Sequence, residues 1–209
     1  MSDKSIALHS LADIVGDLWG AAPVPAKPVE ALPPPARPEF PPFEQLWKVA
    51  DETVDWTEAL VHDAPTDGLT PPETWAMYHT HAPAVLRGDV NAYIEVLRAV
   101  NPLGDFAHYT GGFDVTALSA DQLRVRFKTL PAYLPEDAEK CRRYLAGVSL
   151  RTARDLFALL PVTQVSIEAV EGENVLLSVE YEKAELMKVR FAFVDPVEFA
   201  LRCGGEFAQ

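Results

Sequence analysis

Leu123-Arg124-Val125-Arg126-Phe127-Lys128-Thr129 is the stretch that decides how this chain folds. Apolar and cationic residues alternate along it. A period of two belongs to a β-strand with one face on a core and the other in water. Just upstream, Phe113, Val115 and Ala117 repeat the pattern, and Ser119-Ala120-Asp121 is a turn between the two runs. Downstream, Pro135–Leu160 changes to a helical period, with Leu145, Val148, Ala153, Leu156, Phe157, Leu159 and Leu160 on one broad apolar face. Pro161 ends it. Two further alternating runs follow. Val165, Ile167 and Ala169 share one face, and Val175, Leu177, Val179 and Tyr181 another, across a Glu171-Gly172-Glu173-Asn174 turn. Lys183–Phe193 reads either as a helical turn or as a fifth strand through Met187, Val189, Phe191 and Phe193. Asp195-Pro196 opens a short terminal helix, and Gly204-Gly205 reads as part of a C-terminal tail.

The residues before Phe113 have helical spacing. Phe43–Val61 places Phe43, Leu46, Trp47, Ala50, Val54 and Val61 near one face. Thr70-Pro71-Pro72-Glu73 is a helix start, with Thr70 as N-cap, Pro71 at the first position and Glu73 closing a capping box. Trp75, Tyr78 and Ala82 form that helix's expected buried stripe, up to Pro83. Asp89 caps a third helix carrying Val90, Tyr93, Ile94, Leu97 and Val100, stopped by Asn101-Pro102. The expected fold is therefore α+β. Helices precede a ββαββ unit, a two-layer antiparallel sheet whose apolar face is covered by the Pro135–Leu160 helix.

The first 42 residues differ in kind. Ser5–Trp19 spaces Leu8, Leu11, Val15 and Leu18 as an amphipathic helix, widened by Ile6, Ile14 and Trp19. A helix this short is marginal alone in water and needs a surface to dock on. Nine of the twenty residues from Pro23 to Pro42 are proline. Proline fixes φ and removes a donor, so this stretch is an extended, semi-rigid spacer. The expected organisation is a helix over 1–20, a linker over 21–42, a helical segment over 43–101 and an α+β part over 102–209. The last two are compatible with one compact unit.

Thirty-one acidic residues against 18 Lys and Arg give a formal charge of −13. Such a field repels phosphate backbones, so nucleic-acid binding is disfavoured. Met1–Ser5 has no basic region ahead of an apolar run, so no signal peptide is expected. No apolar stretch approaches the roughly 18 residues of a membrane span. Two cysteines, Cys141 and Cys203, in no metal-like spacing, suit a reducing cytoplasm. A cytoplasmic protein with no membrane partner is expected.

The phrases Asn101-Pro-Leu-Gly-Asp-Phe106, Tyr144-Leu-Ala-Gly-Val-Ser-Leu-Arg-Thr-Ala-Arg-Asp-Leu-Phe-Ala-Leu-Leu-Pro-Val162, Leu176-Leu-Ser-Val179 and Val194-Asp-Pro196 carry a resemblance. Over about Asp89–Leu201 the chain resembles the C-terminal module of uncharacterised bacterial proteins, sometimes fused to a small β-rich domain of unknown function. The resemblance implies one fold unit. It brings no activity and no site residues, because its motifs are core and capping residues.

Residues with chemistry to offer are few. His79-Thr80-His81, with His62 and His108 elsewhere, would share a face only on a strand, and the helix start before them makes them diverge. Glu180-Tyr181-Glu182-Lys183, with Glu168 on the neighbouring strand, has the residue types of a nuclease strand but not its spacing. Arg124, Arg126 and Lys128 with Glu168, Glu180 and Glu182 are expected to form cross-strand charge pairs on the polar face of the sheet. Arg124, Arg126, Lys128, Arg151 and Arg154 are also the candidates for a ligand or partner face, although Lys140, Arg143, Arg151 and Arg154 read as a solvated helix stripe. Phosphate-binding glycine loops and nucleophile elbows are absent from the sequence, and no metal or cofactor is expected.

The function read from these features is a non-enzymatic interaction or adaptor protein. Its partner is another protein or a second copy, engaged through Ile6, Leu8, Leu11, Val15, Leu18 and Trp19. The alternatives are a metal-dependent hydrolase using the histidines or strand carboxylates, and a homo-oligomeric structural protein.

Overall fold

The two alternating runs around residue 120 form β1 (Phe113–Ala117) and β2 (Gln122–Lys128), an antiparallel pair, in the computed structural model. The structure describes residues 46–208 apart from 67, 132, 133 and 135, all within the unit Glu39–Gln209. The amphipathic segment Ser5–Trp19, the proline-rich spacer and Phe43 lie outside the described residues. In β2, Leu123, Val125 and Phe127 are fully buried while Arg124, Arg126 and Lys128 face water, as the alternation requires.

Helix α4 (Ala138–Leu159) follows, then the hairpin β3 (Gln164–Glu171) and β4 (Asn174–Glu182). Glu171 pairs with Asn174 around a two-residue loop, and Gly172 takes the positive φ of 60° that such a loop asks of its first residue. A bulge beyond Ala169 carries Val175 off the apolar face, where the alternation had placed it, to 41% exposure. The sheet order is β1-β2-β3-β4-β5, with β5 the two residues Glu206–Phe207.

The sheet is mixed rather than antiparallel throughout. β2 and β3 run parallel, with Leu123 beside Val165 and Phe127 beside Ala169. The reason lies in α4. A helix of 22 residues carries the chain back along the sheet, so the next strand must start from the same end as β2. Two hairpins are thus joined by a βαβ crossover, and α4 covers the apolar face they share.

Before the sheet come α1 (Trp56–Val61), α2 (Pro72–Leu86) and α3 (Val90–Val100). The single helix expected over Phe43–Val61 is not formed. Residues 49–55 are non-helical, because their polar groups find better partners on α4: the Asp51 N–H donates to Asp155 Oδ1 at 3.0 Å and the Val54 N–H to the Ala158 carbonyl at 2.9 Å. Asp55 then caps α1 through the N–H groups of Thr57 and Glu58. Helix α2 starts one residue later than expected, with Pro71 at the cap and Pro72 first in the helix, and it continues through Pro83. Helix α3 has the Asp89 cap as read, and Asn101 closes it at φ 51°.

The segment after β4 settles the ambiguous stretch. Lys183–Leu186 is a helical turn, α5, and Phe191–Phe193 a 3-10 turn, so the fifth strand lies elsewhere. Asp195 caps α6 (Pro196–Arg202) with its carboxylate on the Val197 and Glu198 N–H groups. Gly204-Gly205 is not a loose tail: Gly205 is buried, and a Cβ there would sit 2.7 Å from the Ala200 carbonyl oxygen. It leads directly into β5.

The carbonyls of the last turn of α4 show why this arrangement closes. A helix leaves its last four C=O groups without internal partners. Here Leu160 N–H bonds the Leu156 oxygen at 2.9 Å, the Lys183 ammonium the Phe157 oxygen at 2.8 Å, Val54 N–H the Ala158 oxygen, and the Trp56 indole the Leu159 oxygen at 2.6 Å. The helix's own C-cap residue, the segment Val54–Trp56 and Lys183 after β4 converge on one helix end.

Candidate functional site

The residues of interest gather on the side of α4 turned away from the sheet. The 46–54 strap crosses it there, and the 187–195 segment lies alongside. Gly147 makes room for the strap, since a Cβ there would approach the Trp47 ring to 3.1 Å. Trp47 is buried, and its indole N–H donates to the Val194 carbonyl at 3.1 Å. Arg143 lies over the Trp47 ring at 5.8 Å and pairs with Asp195 at 3.4 Å. Arg154 stacks 3.8 Å above the centre of the Phe191 ring while donating to the Trp47 and Val49 carbonyls.

These contacts hold a ridge whose outer side chains have nothing over them among the described residues. Phe193 is 85% exposed and Met187 78%, with Val49 exposed nearby on the strap. Lys188 and Arg190 project beside them. Lys188 is bonded to Glu185 at 2.5 Å. Neither the exposed Phe193 nor Met187 was legible as exposed, because both sat in an apolar alternation that suits a strand equally well.

Arg151 is not part of a solvated stripe or a ligand face. It is buried, with Nε on Asp155 Oδ2 at 2.5 Å and Nη2 on Asp105 at 3.0 Å, Asp51 at 3.9 Å and the Phe106 ring beneath at 5.4 Å. Asp155 is fully buried too. Burial pushes its carboxyl up to about 6, against the opposing pull of the Arg151 hydrogen bond and the Asp51 N–H. Burial likewise raises Asp51, with Arg151 opposing. Asp155, closed to solvent, ties the strap to α4 through the Asp51 N–H and is itself held by Arg151. The sequence signal was its position: Arg151 and Asp155 stand four apart in the most apolar half of α4.

The strand cations go elsewhere. Arg126 pairs with Glu168 at 2.6 Å, and Lys128 with Asp114 at 3.2 Å, both on the exposed sheet face away from α4. Surface pairs of this kind contribute a few tenths of a kcal/mol, about 0.5. Arg124, Arg126 and Lys128 are therefore separated from Arg151 and Arg154 by the thickness of the sheet and helix.

The hydrolase candidates are not brought together. Glu180 accepts from the Ser166 hydroxyl at 3.0 Å, Glu168 is held by Arg126, and Lys183 spends its ammonium on the end of α4, with burial lowering its pKa. His79 contacts the Ala59 carbonyl at 2.7 Å and His81 faces Glu95 at 3.7 Å. Among the described residues no group of three or more His, Cys, Asp or Glu is placed to hold a metal. Burial raises the Cys141 and Cys203 thiols, which disfavours the nucleophilic thiolate. Among the described residues no helix is long and apolar enough to cross a membrane.

Comparison with protein-family models, with curated proteins and with solved structures finds no match for this chain.

Proposed function

We propose that this protein is a non-enzymatic interaction module, an adaptor whose body presents the Met187–Phe193 ridge to another protein. The observation that carries the reading is Phe193, 85% exposed at the end of a segment otherwise tied down by Arg154, Trp47 and Asp195. Leaving a phenylalanine in water forgoes about 2 kcal/mol of burial. A rigid base beneath an aromatic and a methionine is the arrangement of an interface anchor. The exposed Arg190 beside it favours a partner with a carboxylate at its rim.

The N-terminal stripe Ile6, Leu8, Leu11, Val15, Leu18 and Trp19, carried on the proline-rich spacer, supplies a second docking element in this reading. Together they describe a bridging protein with two separate contact surfaces.

The test replaces Phe193 with Asp and Met187 with Glu. Both are surface positions, so the unfolding free energy from urea titration should stay within about 0.5 kcal/mol of the parent. A photo-crosslinking residue at position 193, introduced in the native host, should yield a discrete adduct with a second protein. That adduct should vanish when Met187→Glu is added. Crosslinks only to unrelated abundant proteins, unchanged by Met187→Glu, would end the proposal, and adducts at twice the chain mass would turn it towards self-association.

A further inference from the structure

Among the described residues strand β1 is an outer strand of the sheet, paired only with β2. The bonds from Lys128 N–H to the Gly112 carbonyl and from Leu118 N–H to the Gln122 carbonyl fix which backbone groups face inward. In this register the even-numbered residues bond β2, and Phe113, Val115 and Ala117 turn their N–H and C=O groups outward. Among the described residues none of these outward groups has a hydrogen-bond partner. Donors and acceptors thus repeat about every 7 Å along a free edge. An extended polypeptide backbone has that repeat, and few other ligands do.

The same three residues have half-buried side chains on the α4 side of the sheet. There a groove of about 350 Å³ opens between α3 and β1, lined by Ile94, Leu97, Leu103, Phe113 and Val115. At its rim stands Arg98, exposed at the C-terminal end of α3 and facing no carboxylate among the described residues. A strand added to β1 would drop every second side chain into this groove and leave the others beside Asp114 and Thr116.

We propose that the β1 edge and the α3–β1 groove bind an extended segment of another protein by strand addition, the segment being apolar at alternate positions and carrying a carboxylate opposite Arg98. Backbone bonds to Phe113, Val115 and Ala117 supply affinity, and the groove supplies selectivity. This surface is independent of the Met187–Phe193 ridge, so either reading can fail without the other.

The probe is a peptide library of nine random residues displayed with a free C-terminus and selected on the full-length protein. The expected consensus has apolar residues at i and i+2 with an acidic residue or the terminal carboxylate at one end. On binding, the amides of Phe113, Val115 and Ala117 should slow in hydrogen exchange, while those of Asp114 and Thr116 are slow already. Val115→Pro removes an outward N–H that β2 does not use and should weaken the selected peptide by about ten-fold. Ile94→Glu, which leaves the edge intact, should weaken it similarly. Phe193→Asp should leave it unchanged. Peptides without the alternation, or protection appearing away from β1, overturn the proposal. Outward amides already protected in a sedimenting dimer would overturn it in favour of a second copy on the edge.

Discussion

Replacing Arg151 with Met isolates the energetics of the strap's anchor. Met matches the stem of arginine in length but leaves the fully buried Asp155 without its guanidinium. Breaking a buried pair from one side costs about 3–5 kcal/mol. The folded variant escapes the worst of this by protonating Asp155, and that escape is pH-dependent. In the parent, a carboxyl at about 6 is ionised above neutrality in both states, so Asp155 adds no slope there. In Arg151→Met the native carboxyl stays protonated while the unfolded one is ionised. The native state then holds the extra proton, and stability falls by about 1.4 kcal/mol per pH unit. Urea unfolding followed by the fluorescence of the buried Trp47, Trp56 and Trp75, at intervals from pH 6.5 to 8, reads both effects. Arg151→Met with Asp155→Asn should abolish the extra slope and recover part of the loss, since Asn can still accept from the Asp51 N–H. A single variant within 1 kcal/mol of the parent, with an unchanged pH profile, would refute the account of the cluster as the strap's fixing point.

In the parent itself, Asp155 titrates higher when folded than when unfolded, so its contribution is greatest below pH 4 and is lost as pH rises towards 6. Against Asp155→Asn, the parent should lose about 3 kcal/mol at most over that window, measured by denaturant midpoints. Asn101→Val should cost about 1–2 kcal/mol because the residue sits at φ 51°, whereas Asn101→Gly should be close to neutral by the same assay. Asp195→Ala removes a cap on α6 and the partner of Arg143, and a loss of about 1–2 kcal/mol in thermal or urea unfolding is expected.

Much of the sheet and its cover was legible because one face is wet. Arg124, Arg126 and Lys128 mark the outside of β2 residue by residue, and the Asp89, Asp195 and Gly172 signals are local chemistry that no distant contact needs to rescue. What could not be read depended on partners far away in the chain. Residues 49–55 have helical spacing, yet Asp155 and Ala158, more than 100 positions on, draw their N–H groups into an extended path. The parallel β2–β3 pairing follows from a crossover, and strand periodicity is identical in either direction. Arg151 read as solvated because a charged side chain on a helix usually is. Its burial needed Asp51 and Asp105 to arrive from outside the helix. The ridge had the weakest signal, since Met187, Val189, Phe191 and Phe193 suit a strand as well as the turns they form.

The strap also sets a schedule for synthesis. Trp47 leaves the ribosome early, but the Val194 carbonyl it must bond is 147 residues behind it. At roughly 5–20 residues per second the indole waits about seven to thirty seconds for its seat. During that interval the Trp47 indole has no acceptor, and the Phe157 carbonyl at the end of α4 waits in turn for Lys183. Moving the strap to the C-terminus through circular permutation would place the Trp47 indole after its acceptor in the order of synthesis and remove the wait.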